Sequence, residues 1–77
     1  MDLPIGQAIR DLRIYRGLSQ ADLADRMGCE RQFINKHEQN KHTPVMDTFD
    51  RFAIALNIQP WKLLRYAQKL RKQMEAK

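Results

Sequence analysis

Cys29 is the chain's single cysteine, so no disulfide closes within it and a reducing compartment is expected. No apolar run is long enough to cross a bilayer. The opening Met1-Asp-Leu-Pro4 has no basic region followed by an apolar one, so no secretion signal is expected and a cytoplasmic location follows. Only three glycines and three prolines occur, and they build neither a Gly-rich phosphate loop nor a low-complexity linker. Cys29, His37 and His42 lack a second Cys-x-x-Cys or His-x-x-x-His element, so no metal site is expected. The sequence also lacks a catalytic carboxylate pair and a Ser-His or Cys-His constellation. At 77 residues the chain makes one domain with little room for an enclosed cavity, so binding without a cofactor is favoured over catalysis.

What the chain does have is positive charge. Fourteen Lys and Arg stand against nine Asp and Glu, a formal charge of +5 that attracts polyanions such as nucleic acid or an anionic membrane. The distribution favours nucleic acid, because Arg31, Lys36, Lys41 and His42 follow one another through one short region.

Apolar spacing and stop signals predict five helices and no strands, an all-α fold. The first runs from about Ile5 to Arg16 and ends at Gly17, with Ile9, Leu12 and either Ile14 or Tyr15 facing inward. Ser19 is an N-cap for the second, with Asp22 placed against its dipole. That helix carries Leu23, Ala24 and Met27 and breaks at Gly28. The third spans about Glu30 to Gln39, with Phe33, Ile34 and His37 on its inner side and Asn40 as its stop. Helices two and three are too short to stand alone, and together they write a helix-turn-helix whose outer face is Glu30, Arg31, Gln32, Asn35 and Lys36. Pro44 keeps Thr43 out of helical geometry. A fourth helix runs from Val45 or Asp47 to Leu56 on a stripe of Phe49, Phe52, Ala53 and Leu56, and Asn57 ends it. Pro60 opens the fifth, where Leu63, Ala67, Leu70 and Met74 recur at near-heptad spacing.

The segments Ile5-Gly-Gln-Ala-Ile-Arg-Asp-Leu-Arg13, Gly17-Leu-Ser-Gln-Ala-Asp-Leu-Ala24, Met27-Gly28, Ile34, Glu38, Pro44 and Ala53-Ile-Ala-Leu-Asn-Ile58 occur in an order that resembles the phage-repressor-like, Cro- and XRE-type helix-turn-helix proteins. The likeness covers about residues 5–64, with 65–77 as an extended basic last helix and candidate dimerisation element. It implies a five-helix, lambda-repressor-like DNA-binding domain that acts as a homodimeric, sequence-specific transcription regulator. Its third helix would enter the major groove of double-stranded DNA. By that likeness Glu30, Arg31, Gln32 and Lys36 face base edges, and Ser19, Gln20, Arg13, Asn35, Gln39, Asn40 and Lys41 meet phosphates. Arg13 and Glu38 also match the family's ion pair between the first and third helices, which gives Arg13 a purely structural reading beside the phosphate one.

Some residues keep two readings. Glu30 stands where the family often has Ser or Thr, and either accepts from cytosine N4 or complements the helix dipole and repels phosphate. His37 replaces an apolar residue and is expected as a mostly buried, neutral imidazole with a hydrogen bond. Cys29 is expected as a core thiol, and Trp61 at the core or its rim, with a dimer interface as the rival. Leu70 and Met74 are candidates for self-association. Arg65, Lys69, Arg71 and Lys72 read as a solvated face before a membrane or DNA contact. An activator would need an acidic patch such as Asp47 or Asp50 to touch RNA polymerase. An antitoxin paired with a toxin, a restriction-modification controller, and a protein-interaction adaptor that does not bind DNA are the alternative functions.

Overall fold

The computed structural model describes residues 3–76 and, among them, forms five helices and no strand: α1 Ile5–Tyr15, α2 Gln20–Met27, α3 Arg31–Glu38, α4 Met46–Ala55 and α5 Pro60–Glu75. Met1, Asp2 and Lys77, the ends of the expected 1–77 domain, lie outside the described residues.

Four of the helices end in the same way. After α1, α2, α3 and α4 the chain turns through a left-handed residue: Gly17 (φ 73°), Gly28 (67°), Asn40 (60°) and Asn57 (55°). The next residue then donates its N–H back into the last turn, Leu18 to the Arg13 carbonyl, Cys29 to Ala24, Lys41 to Lys36 and Ile58 to Ala53, at 3.0–3.1 Å. These bonds satisfy carbonyls that a helix end would otherwise orphan. Leu18, Cys29 and Ile58 are apolar, as the motif favours, whereas Lys41 puts a charge at the corresponding place after α3.

α1 packs on α3 and α5, α2 on α3 and α4, and α4 on α5. The main core gathers Ile9, Leu23, Ala24, Met27, Ile34, Phe52, Ala55 and Leu56; a second cluster of Ala8, Ala53, Leu63 and Ala67 seats α5. Phe52, Ile9, Leu23, Ile34, Leu56 and Leu63 are fully buried, each contributing about 1.5–3 kcal/mol relative to exposure.

This packing corrects one expectation and sharpens two others. Ile14 and Tyr15 point outward, because the inner face of α1 is already filled by Ile5, Ala8, Ile9 and Leu12. Leu70 is partly buried against the second cluster, which commits the first three residues of the α5 stripe to the domain's own packing, whereas Met74 is 47% exposed. Trp61 is 54% exposed, which excludes full burial and fits the rim or interface readings; its indole N–H donates to Gln59 Oε1 at 2.9 Å and Lys62 lies over its ring.

Candidate nucleic-acid interface

Ser19 starts α2 with a reciprocal cap. Its hydroxyl accepts the Asp22 N–H at 2.9 Å, and the Asp22 carboxylate accepts the Ser19 N–H at 2.9 Å. The Ser19 backbone N–H first, and the Ser19 hydroxyl beside the carboxylate second, hold the Asp22 carboxyl below its ordinary value of 3.8. Gly28 then turns the chain in a left-handed conformation that a β-carbon would strain, and α3 leaves the turn at an angle that buries Ile34.

An ion pair braces this unit against α1. Arg13 Nε donates to Glu38 Oε2 at 2.6 Å and Nη2 to Oε1 at 3.1 Å, while Nη1 donates to the Leu18 carbonyl at 2.8 Å. The two side chains are 11% and 2% exposed, so the pair is largely shielded from water. All three nitrogens of Arg13 thus have acceptors inside the domain, which supports the brace reading; three of its five N–H groups are engaged in it.

Gln20 joins the same network. Its amide donates to Glu38 Oε1 at 3.1 Å and to Asn35 Oδ1 at 3.2 Å, so the amide expected on a phosphate is turned inward. What α2 presents outward at this end is backbone N–H at its first turn, where anions are favoured. Asn35 Oδ1 also accepts from Gln39 at 3.3 Å.

The outer face of α3 is left to Arg31, Gln32 and Lys36, all exposed. Glu30 occupies the N-cap position without a side-chain capping bond. Gln39, Asn40 and Lys41 are exposed at the far end. The structure therefore brings Glu30, Arg31, Gln32 and Lys36 onto one helix and its entrance, with Ser19 at the start of α2 and Lys41 just beyond α3. His37 and Glu38 face the other way and are buried. The His37 ring lies 4.5 Å from Phe33, 5.3 Å from Phe52 and 5.7 Å from His42, centre to centre, and its Nδ1 is 2.9 Å from the Phe33 carbonyl. Cys29 is half-buried against the main core, and desolvation pushes its thiol pKa up, which disfavours the reactive thiolate.

Several positioning residues escaped the sequence. Gly6 lies in the first turn of α1, where a β-carbon would collide with the His37 carbonyl and come within 2.5 Å of Asn40 Oδ1. A glycine inside a helix is unfavourable against alanine, and that cost was the available signal for a close crossing. Arg16 donates to the Leu56 and Asn57 carbonyls at 3.0 and 3.1 Å, and Arg26 to Ala55 at 3.1 Å, so two cations cap the end of α4. Arg51 caps α2 at the Met27 carbonyl. Tyr66 ties α5 to α1 through Asp11 at 2.7 Å, and that acceptor raises the phenol pKa. Part of the positive charge is thereby committed to the scaffold.

Among the described residues no helix is long and apolar enough to cross a membrane.

Comparison with known proteins agrees with this geometry. Residues 8–76 match the Cro/C1-type HTH DNA-binding domain. Among solved structures, the restriction-modification controller protein C.AhdI from Aeromonas hydrophila is 33% identical, with a TM-score of 0.74 over 79% of this chain and 92% of that one. The hypothetical transcription factor NHTF from Neisseria is 26% identical, with a TM-score of 0.75 over 82% of this chain and 75% of that one. The wild-type restriction-modification controller protein C.Esp1396I shares the fold at a TM-score of 0.79 and 19% identity, over 87% of this chain and 86% of that one. No curated protein sequence matches significantly. With nearly its whole length matched, the chain belongs to the Cro/C1-type helix-turn-helix DNA-binding family.

Proposed function

We propose that the protein is a sequence-specific DNA-binding transcription regulator that works by occupancy rather than catalysis, as a homodimeric repressor at a near-palindromic operator. The observation that carries this reading is the exposed polar face of α3, held rigid from behind by the Arg13–Glu38–Gln20 network. Arg31 forks onto guanine O6 and N7, Gln32 onto adenine N6 and N7, and Lys36 onto guanine or a phosphate. Glu30 accepts from cytosine N4 or turns phosphate away. Ser19, the α2 entrance at Gln20, Asn35, Gln39, Asn40 and Lys41 make the phosphate contacts.

Two copies on one face of the duplex place their α3 helices about 34 Å apart, one helical turn. With Leu70 partly buried, the apolar side chains of α4 and α5 left for a second copy include Ile54, Trp61, Leu64 and Met74. The likeness to C.AhdI, at 33% identity over 92% of that protein, favours a controller of a restriction-modification system as the second reading.

Selection of binding sites from random duplexes tests the proposal. The expected product is a near-palindrome with half-sites one turn apart, bound with a steep salt dependence. Absence of salt-dependent binding to any duplex at low ionic strength would leave the protein-interaction adaptor as the better account.

A further inference from the structure

The entrance of α4 carries an exposed aliphatic side chain. Val45 is its N-cap residue and, like Pro4, Glu30 and Gln59 at the starts of α1, α3 and α5, makes no capping bond; it is the one purely aliphatic open-chain side chain among the five N-caps. It is also 69% exposed, so core packing does not explain an apolar side chain at this place.

Val45 lines an open cleft of about 480 Å3 that it shares with Glu30, Gln32 and Lys36 of the α3 segment and with Thr48 of α4. Three of the four residues assigned to base edges therefore border the same space as this exposed valine. Glu30 and Lys36 carry opposite charges, so the pair gives a phosphate little net attraction. A neutral base edge suits such a space better. The major-groove edge of a base pair has hydrogen-bonding groups for Gln32 and Lys36, and one apolar feature, the 5-methyl group of thymine.

We propose that Val45 is a specificity-determining residue that packs against the 5-methyl group of a thymine in each half-site, extending base reading from α3 onto the start of α4. This inference rests on the DNA-binding reading above and adds a contact outside the helix-turn-helix.

The test uses duplexes selected by the wild-type protein, with each thymine replaced in turn by deoxyuridine, which removes the methyl and nothing else. Wild-type protein loses about fourfold in affinity at one thymine per half-site, the worth of one buried methyl-sized group. Val45→Ser, which supplies a capping hydroxyl and keeps α4 formed, binds the thymine and uracil duplexes equally; Val45→Ile keeps the difference. Thermal unfolding of Val45→Ser at or above the wild-type temperature shows that the lost discrimination is not a folding defect. A wild-type protein indifferent to every thymine methyl overturns the inference, as does a Val45→Ser protein with the wild-type penalty at each position. Failure of the wild-type protein to bind any duplex would instead defeat the DNA-binding reading itself.

Discussion

The Gly6 amide donates to Asn40 Oδ1 at 2.9 Å, which ties the entrance of α1 to the residue that ends α3. The bond spans 34 positions of sequence, and it depends on a glycine at one end and a left-handed asparagine at the other. Through it the segment carrying Gln39, Asn40 and Lys41 is fixed to the same helix that supplies Arg13.

Gly6→Ala is expected to lower stability by about 1–3 kcal/mol, since its β-carbon meets backbone carbonyls that cannot swing aside. Asn40→Gly keeps the left-handed turn and loses only the side-chain bond, so it should cost about 1 kcal/mol. Urea unfolding of both variants checks the order; a neutral Gly6→Ala would show that α1 and α3 can separate freely.

Glu38→Ala leaves the Arg13 guanidinium shielded from water without its carboxylate, and a loss of about 3–5 kcal/mol is expected. That is a large share of the stability of so small a domain. Circular dichroism on heating should show a mostly unfolded chain at temperatures where the wild type is intact. Arg13→Lys should fail to rescue the pair, because an ammonium cannot serve both Glu38 oxygens and the Leu18 carbonyl in one plane.

The Ser19–Asp22 cap makes one contribution to stability acid-sensitive. Because the folded-state pKa of Asp22 lies below 3.8, the cap's contribution is fully present above that value and disappears as pH falls through the lower folded pKa. Asp22→Asn should therefore destabilise the protein at neutral pH and flatten its stability profile in the acid range. Parallel unfolding curves for the two proteins below pH 3.8 and at neutrality measure the difference.

Arg31→Ala and Gln32→Ala should each cost about 1–3 kcal/mol of binding at one base position and relax preference there. Lys41→Ala should weaken all sequences alike and lower the salt slope by about one. Arg16→Ala should reduce stability through the lost α4 cap and leave that slope unchanged, although it removes the same charge. Binding measured across a salt series separates the two classes of cation. Equal slopes for Lys41→Ala and wild type would remove Lys41 from the phosphate-facing set.

The sequence by itself determined where the helices begin and end. Gly17, Gly28, Asn40 and Asn57 each favour the left-handed turn, Ser19 offers an N-cap with Asp22 against the dipole, and the stripes through Ile9, Leu23, Ile34, Phe52 and Leu63 mark the buried faces. Such signals act within one or two turns of chain, so they are readable without a fold, and they were enough to outline the helix-turn-helix and its polar face. Tertiary structure alone decided how side chains with several options are used. Arg16 reaches a carbonyl 40 residues away, Gln20 turns toward Glu38 rather than outward, Leu70 faces its own core, and Val45 shares a cleft with Gln32. Long polar and exposed apolar side chains take whatever partner the packing brings near, and that partner is set by the crossing of helices far apart in sequence.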